Sequence, residues 1–189
     1  MKCGKPLERE EKEYCRDCLR AEHSYDRGRF LLVYEGRVRE SVYRFKYGKR
    51  REYARAYGRW MEEELGEFIR GVQPDALIPV PLHKKRLRKR GYNQAEELAR
   101  EIGRRMKVPV QASYVRREKN TKPQKELDLS GRQNNLKKAF KIKQNDVKLN
   151  TTIIIDDIYT TGSTVDAISE ELKAEGVQKV FFLCLAGGK

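Results

Sequence analysis

The sequence predicts an α/β fold, a parallel sheet flanked by helices, with a small cysteine-rich module in front of it. Aliphatic runs that are apolar on both faces, such as TTIIIDDIY at 151–159 and KVFFLCLAG at 179–187, alternate with segments of helical periodicity. This alternation is typical of a parallel sheet covered on both sides. Three of the four cysteines fall in residues 1–25, where large aliphatic residues are few. The 189 residues suffice for one domain and an appendage, so we divide the chain into 1–25 and 26–189.

The first half of the larger domain predicts a strand, two helices and a second strand. RFLLVYEG at 29–36 is a short apolar run, and residues 38–48 place their apolar side chains on one helical face. Residues 51–70 repeat aromatic and aliphatic residues at three- and four-residue steps, which predicts an amphipathic helix with those aromatics in the core. ALIPVP at 76–81 predicts the next strand, and a loop is expected over 83–94.

The second half continues the alternation around one long irregular segment. Asn93 is expected to cap a helix, and VPVQASYV at 108–115 predicts a strand. Residues 116–135 have no periodicity and many turn formers; a loop of about 20 residues inside a domain is usually functional or mobile. A short strand over 139–143 and a helix over 163–175 complete the pattern with the two long apolar runs.

The charge of the chain favours an anionic partner. The net charge is +14, and residues 76–148 alone carry 21 basic and 7 acidic side chains. Such clustering suits the phosphates of a small ligand or a nucleic-acid backbone; the alternative is a solvated, solubilising surface. No apolar run approaches the roughly 20 residues that cross a bilayer, and the N-terminus lacks the apolar segment of a secretion signal. We therefore expect no membrane span and a cytoplasmic location.

One stretch, IIIDDIYTTGST at 153–164, combines features of a ligand site. Asp156 and Asp157 are expected at the carboxyl end of a buried strand, where ligands of open α/β sheets bind. The following turn leads into a helix N-terminus, which favours anions, and Gly162 permits close backbone approach. The carboxylates accept hydrogen bonds and the loop donates them. A sugar phosphate suits both, since its hydroxyls can bind the carboxylates and its phosphate can bind the loop. The alternative is a surface turn whose acids cap a helix.

This stretch resembles the motif by which type I phosphoribosyltransferases bind phosphoribosyl pyrophosphate (PRPP). Four further segments, CGKPL, YRFKYGKR, VPVPLHKKRLRKRGYNQAEELA and TKPQKELDLSGRQNNLKKAF, resemble the ComF family, whose members are phosphoribosyltransferase-like proteins linked to bacterial competence. The resemblance covers nearly the whole chain. It implies a type I phosphoribosyltransferase fold for 26–189 and a zinc-knuckle-like module for 1–25.

The resemblance also implies roles for individual residues. Asp156 and Asp157 would hold the ribose hydroxyls as the catalytic pair, and residues 116–135 would be the flexible loop that closes over PRPP. The 5-phosphate would be held by Thr160, Thr161, Gly162, Ser163 and Thr164. The pyrophosphate loop would contain Val80, Pro81, Leu82 and His83. The residues beside the anionic ligand would be Arg90, Tyr92, Asn93 and Gln94. Mg²⁺ would be held mostly by ligand oxygens and water.

Two functions remain open at this point. The first is a PRPP·Mg²⁺-binding protein that acts in DNA uptake and natural transformation, where proteins of the competence machinery are possible partners and a peripheral position at the inner membrane is compatible. The second is an active phosphoribosyltransferase that releases pyrophosphate and joins the ribose to an unknown nitrogen acceptor. The sequence contains no recognisable pocket for such an acceptor.

The basic segment predicts contact with single-stranded DNA. KKRLRKR at 84–90 holds six basic residues in seven, more than PRPP requires. Tyr92 and Tyr114 could supply stacking faces for unpaired bases. The predicted nucleic-acid residues are Lys84, Lys85, Arg86, Arg88, Lys89, Arg116, Arg117 and Lys122, with Lys119 and Lys125 nearby. The alternative is a solvated loop without a partner.

The N-terminal cysteines predict an incomplete zinc site. Cys15 and Cys18 form a C-x-x-C pair, and Cys3 resembles the second half of another. The family pattern would be four cysteines, but the partner of Cys3 would precede Met1, as if the chain starts inside the motif. His23 is the candidate fourth ligand; the alternative is a frayed N-terminus with free thiols. Cys184, in an apolar run, is expected to be a buried small hydrophobe.

Overall fold

The computed structural model describes residues 2–5, 14–118, 139–143 and 147–188. Within these ranges no helix combines the length and the apolar character needed to cross a membrane. The helices are α1 Arg16–Arg20, α2 Gly36–Tyr47, α3 Tyr53–Val72, α4 Lys84–Arg90, α5 Gln94–Met106 and α6 Ser163–Ala174. The strands are β1 Arg27–Val33, β2 Ala76–Pro79, β3 Val115–Arg117, β4 Phe140–Ile142, β5 Thr151–Tyr159 and β6 Lys179–Gly187.

A four-stranded sheet in the order β1-β6-β5-β2 forms the centre of the molecule. All three neighbouring strand pairs are parallel, so the predicted parallel sheet is confirmed. Side chains alternate between two apolar layers: Ile153 and Ile155 pack with α3 and α5, whereas Ile154 packs with α6. The helices thus cover both faces, which is why the central residues of β5 and β6 are apolar on both sides.

The described part of the N-terminal segment packs onto the edge and face of this sheet. The Gly28 amide donates to the Lys2 carbonyl at 2.8 Å. Cys3 and Tyr25 are buried in the same apolar layer as Phe182 of β6, and the Tyr25 ring meets the Phe182 ring edge-on with centroids 4.8 Å apart. The domain boundary at residue 25 stays a prediction, but these contacts hold the cysteine-bearing residues against the sheet.

The segment expected to be a loop at 83–94 contains helix α4 instead. Its six basic residues in seven give no apolar periodicity, so the helix left no amphipathic signature. Local caps define it: the Lys85 amide donates to His83 Nδ1 at 3.3 Å, and Gly91 ends it with φ +84°, a conformation that favours glycine. Cations in the last turn also complement the helix dipole.

Residues 108–115, which were expected to form one strand, do not form a strand over that whole length. Only Val110 pairs with β2, through a single bridge to Leu77, and Pro109 cannot donate a ladder hydrogen bond. The chain then turns and forms β3, which pairs antiparallel with β4. The predicted short strand near 139–143 is confirmed as β4. The predicted flexible loop at 116–135 begins inside β3, and its residues from 119 onward lie outside the described residues, including Lys119, Lys122 and Lys125.

Candidate functional site

Asp156 and Asp157 lie inside β5, close to its carboxyl end. The strand does not stop before them, because Asp156 is still paired in register with Cys184 and the ladder continues to Tyr159. Successive residues of a strand point to opposite sides, so the two carboxyl groups have different neighbours. The Asp157 amide donates to Asp156 Oδ1 at 2.8 Å. A carboxylate pair is thus fixed to the most rigid element of the fold.

Lys46, at the end of α2, completes this pair, although the sequence did not single it out. Its Nζ lies 2.8 Å from Asp157 Oδ1, and both side chains are mostly buried. Burial, and then the charge of Asp157, raises the pKa of Asp156 to about 7, against the opposing effects of Lys46 and Arg117. Burial has removed water that would stabilise the ionised carboxylate. A ligand that brings cations or hydrogen-bond donors to Asp156 would therefore stabilise its charged form.

The turn after β5 has the conformation expected of an anion-binding loop. Gly162 has φ +84°, and a Cβ placed there would lie 2.8 Å from the Tyr159 hydroxyl, so only glycine fits without strain. The N-cap residue of α6 is Gly162, which has no side chain to accept a hydrogen bond from the first turn, and a helix N-terminus favours an anion. Thr161 Oγ1 and Ser163 Oγ lie 2.8 Å apart beside it.

A negative side chain near this loop is paired by the N-terminal segment. Asp166 lies in the first turn of α6. His23 Nδ1 lies 2.7 Å from one of its carboxylate oxygens, and the Ser24 amide donates to the other at 2.9 Å. The His23 ring stacks on Tyr25 with centroids 4.7 Å apart and lies about 3 Å from the position of a Cβ on Gly162. Both carboxylate oxygens of Asp166 are therefore paired, one with His23 and the other with Ser24.

Arginines from two different elements gather next to Asp156 through Arg117 of β3. Burial, followed by the charges of Arg86 and Arg90, lowers the pKa of Arg117 to about 10, and Asp156 opposes this shift. Arg90 is oriented by Gln94 Oε1 at 3.0 Å and by the Tyr47 hydroxyl at 3.1 Å. Arg117, predicted for nucleic acid, therefore lies near Asp156, and Arg86 and Arg90 lie near Arg117.

The predicted pyrophosphate loop is held between the sheet and α5. The Val80 amide donates to the Ile155 carbonyl at 2.9 Å, which continues the ladder of β2 and β5. Asn93 Nδ2 donates to the Val80 carbonyl at 3.0 Å, while Asn93 Oδ1 accepts from the Ala95 amide at 3.2 Å. Asn93 is thus the predicted helix cap and also fixes the loop. A cavity of about 690 Å³ opens beside it, and the residues that line it include Pro81, Leu82, His83, Lys84, Arg116 and Arg117.

Tyr92 and Gln94, two of the predicted site residues, are buried in the structure. Tyr92 is in the core, and its hydroxyl donates to the Phe45 carbonyl. Gln94 is fully enclosed and donates to the Lys46 carbonyl at 3.4 Å. Tyr92 and Tyr114 are only 8% and 5% exposed, so the expectation that their rings offer stacking faces is wrong. Tyr92 was expected in a loop and Tyr114 in a strand, and tertiary packing covers both rings.

The basic residues of α4 separate into two groups. Arg86 and Arg90 are half-buried and lie near Arg117, whereas the others are exposed. The exposed ones are Lys84, Lys85, Arg88 and Lys89. Helical geometry is the reason, since residues four apart share a face. Lys122 lies outside the described residues.

Cys3, Cys15 and Cys18 form a thiol cluster. Their sulfur atoms all lie within 4.8 Å of one another, and the Cys3 and Cys15 sulfurs are 3.4 Å apart. Sulfur ligands about 2.3 Å from a tetrahedral zinc ion stand about 3.8 Å apart, so the three donors fit zinc. Burial is the main cause that raises the pKa of Cys3 to about 12, so a metal must displace its proton.

His23 is not the fourth ligand in this geometry. Among the described residues, the cluster of potential ligand atoms contains only the three sulfurs, and His23 Nδ1 is bonded to Asp166 instead. His23 Nε2 is buried and has no hydrogen-bond partner in the described part of the chain. The pairing of His23 with Asp166, like that of Lys46 with Asp157, joins distant parts of the chain and has no local sequence signal.

Comparisons with known proteins point in the same direction as the geometry. Residues 49–189 match the family described as the phosphoribosyl transferase domain. The chain is 32% identical over 173 residues to competence protein F of Haemophilus influenzae, covering 89% of this chain and 76% of that protein. It is 31% identical over 174 residues to the DNA utilization protein YhgH of Escherichia coli, covering 90% and 76%. It is 29% identical over 183 residues to competence protein ComFC of Bacillus subtilis, covering 92% and 71%.

Proposed function

The chain belongs to the phosphoribosyl transferase domain family, within the group of competence protein F (ComF), and from this premise we propose that it binds PRPP with Mg²⁺ and acts in DNA uptake. In this role it handles single-stranded DNA. The observation that carries the proposal is the meeting of three kinds of group at one end of the sheet. These are the acid pair at Asp156 and Asp157, the glycine turn at the N-terminus of α6, and Arg117 near Asp156 with Arg86 and Arg90 beside it.

Each part of PRPP finds a chemically suitable partner in this arrangement. Carboxylates accept hydrogen bonds from the ribose hydroxyls, and the turn of 160–164 donates to the 5-phosphate. Arg86, Arg90 and Arg117 supply positive charge for the pyrophosphate. Asn93 and the β2–β5 ladder hold the backbone of the pyrophosphate loop in place. Lys46 keeps Asp157 oriented, with the two groups 2.8 Å apart.

Mg²⁺ fits the same donor set. Asp156 is a carboxyl group whose pKa is raised to about 7 by burial and by its neighbour Asp157, so an adjacent cation stabilises its charged form. When bound, Mg²⁺ would neutralise charge on the pyrophosphate group. The residues of this chain would orient the ribose and hold the pyrophosphate against the arginines.

The DNA role is supported by the names of the relatives and by the exposed cations. The relatives are called competence protein F, DNA utilization protein and competence protein ComFC. Lys84, Lys85, Arg88 and Lys89 are exposed on α4 and remain available to a longer polyanion while Arg86 and Arg90 serve PRPP. Binding of single-stranded DNA through these cations would weaken steeply as salt rises.

Zinc is the proposed ion of the thiol cluster. Three sulfurs at the spacing of a tetrahedral site support it, and water can take the fourth position. Because Cys3 belongs to the same apolar layer as Tyr25 and Phe182, zinc in this position would anchor the N-terminal segment that pairs Asp166.

An active phosphoribosyltransferase is the second candidate. The observation that favours it is the cavity of about 690 Å³ beside the pyrophosphate loop, which has the volume of a small-molecule pocket. Its polar lining includes Asn93, Glu96 and Ser113, which can bond a nitrogen acceptor. Release of pyrophosphate in the presence of a panel of nucleobases and amines would favour this candidate, and PRPP binding without release would favour the first.

Calorimetric titration of PRPP with Mg²⁺ tests the shared part of both candidates. The wild-type protein is expected to bind, and Asp156→Asn and Asp157→Asn are expected to abolish binding. Glu63→Gln is the matched control, because Glu63 is an exposed carboxylate on α3 paired with Arg59. If both Asn variants keep the affinity of the wild type, the site assignment is wrong.

A further inference from the structure

One face of α2 exposes two aromatic rings that the core does not require, and of these only Tyr47, whose hydroxyl accepts from Arg90, has a role at the proposed PRPP site. Tyr43 and Tyr47 are 59% and 49% exposed, and their ring centroids are 4.9 Å apart. The opposite face of the helix already buries Val42 and Phe45 completely. Tyr43 and Tyr47, one turn apart, are called the tyrosine face below. Exposed aromatic rings that lie next to each other usually mark an interaction surface.

A cavity adjoins the tyrosine face. It has a volume of about 600 Å³ and is lined by Tyr34, Gly36, Arg39, Glu40, Tyr43 and Arg44. Gly36 lines this cavity, and the space next to it is open, since a Cβ at this position would meet no atom within 4 Å. Aromatic rings supply flat apolar contact, and Arg39 and Arg44 supply cations at the rim. This combination suits a flat, uncharged ring that is attached to an anionic backbone.

The charge around the tyrosine face selects the partner. Residues 36–51 contain seven basic side chains and one acidic side chain. At one end of the face the Arg90 guanidinium lies 4.8 Å from the centre of the Tyr47 ring. Arg90 is also the last residue of α4, whose seven residues include six cations. Arg90 therefore joins the tyrosine face to the cation-rich helix α4.

We propose that the tyrosine face is a stacking platform for the unpaired bases of single-stranded DNA. The bases stack on Tyr43 and Tyr47, one base enters the cavity beside Tyr34, and the flanking cations contact the phosphates. Sequence-independent binders of single strands combine aromatic platforms with a cationic groove in this way. The proposal rests on the proposed role in handling single-stranded DNA and assigns the surface that performs it.

Exposure of an aromatic ring by itself would not support this assignment. Trp60 on α3 is 52% exposed and borders a different cavity with Tyr53 and Glu63. Helix α3, however, carries three basic and four acidic side chains, so its surface does not attract phosphates. Trp60 is therefore a suitable control, because it has similar exposure and an aromatic ring without the cationic surroundings.

Fluorescence anisotropy of a labelled oligothymidylate with the full chain tests the proposal. Tyr43→Ala is expected to weaken binding by about fivefold to 100-fold, the range of one lost base–aromatic stack. Tyr43→Phe is expected to bind like the wild type, because stacking needs the ring and not the hydroxyl. Trp60→Ala is expected to have no effect. Because stacking releases no counterions, Tyr43→Ala should leave the salt dependence unchanged, whereas Lys84→Gln combined with Lys85→Gln should reduce it.

A second measurement locates the bases directly. Photocrosslinking with an oligonucleotide that contains 5-iododeoxyuridine is expected to modify the peptide that carries Tyr43 or Tyr47. If the wild type does not bind the oligonucleotide at all, the proposed DNA role fails and this assignment fails with it. If the wild type binds, but Tyr43→Ala binds equally well and the crosslinks fall elsewhere, only the assignment fails; the face would then suit an acidic protein partner.

Discussion

Replacing Asp156 with Asn is expected to stabilise the protein above neutral pH while it removes the affinity for PRPP. Burial and the charge of Asp157 raise the pKa of Asp156 from 3.8 to about 7. The folded protein therefore pays a free-energy cost whenever it holds Asp156 ionised. Asn has nearly the same shape, and its Oδ1 can still accept the hydrogen bond from the Asp157 amide, which is 2.8 Å long.

The size and the sign of the effect follow from the two pKa values. One pKa unit corresponds to about 1.36 kcal/mol, so a shift from 3.8 to about 7 corresponds to at most about 4 kcal/mol. Between these pH values the folded state binds more protons than the unfolded state, so wild-type stability falls as the pH rises. Above pH 7 the cost is complete. The advantage of Asp156→Asn is thus small near pH 4 and largest near pH 8.

Urea unfolding of wild type and variant at pH 5, 6, 7 and 8 measures this difference. The free energy of unfolding of Asp156→Asn relative to wild type should increase with pH and level off near pH 7 to 8. Glu63→Gln should show no such trend, because Glu63 is exposed. A stability difference that is flat with pH, or an Asn variant that is less stable at pH 8 than at pH 5 relative to wild type, would refute the reasoning.

Three other predictions concern residues around the site. Lys46→Met leaves the mostly buried Asp157 without its cation and is expected to lower the free energy of unfolding by about 3–5 kcal/mol, as measured in urea; an unchanged midpoint would contradict the structural role of this pair. Gly162→Ala forces a side chain into φ +84° and against the Tyr159 hydroxyl, so it should cost about 1–3 kcal/mol and weaken PRPP binding in calorimetry; wild-type affinity would show that the turn tolerates a Cβ. Removal of zinc by a chelator should lower the melting temperature of the wild type, whereas Cys18→Ser should lose the bound metal and respond little; near-zero zinc by elemental analysis of purified protein would exclude the site.

Local patterns predicted those parts of the fold that depend on neighbours in the sequence. The apolar runs of β5 and β6 predicted a parallel sheet because both faces of these strands are buried. Asn93 was recognised as a helix cap because its side chain bonds an amide two residues ahead. The pairing of carboxylates with the glycine turn at Gly162 was recognisable because all its parts are contiguous in the chain.

Other features had no local signal or a misleading one. Helix α4 lacks an amphipathic pattern because its cations face solvent or the site rather than a core. Tyr92 and Tyr114 were expected to offer stacking faces because they are aromatic residues close to basic segments, yet packing from other elements buries them. Tyr43 lies in a helix whose apolar stripe was recognised, but its exposure depends on what the remainder of the fold leaves uncovered.

The sequence by itself determined the parallel sheet, the order of its main elements and the adjacency of two acids with an anion-binding turn, since these depend on periodicity and on residues next to each other. Only the tertiary structure decided which cations belong to the acid pair. It brought Lys46 to Asp157 and Arg117 to Asp156, and it placed His23 on Asp166. The physical reason is that burial and pairing of charges depend on distances between elements that fold together, which no window of neighbouring residues contains.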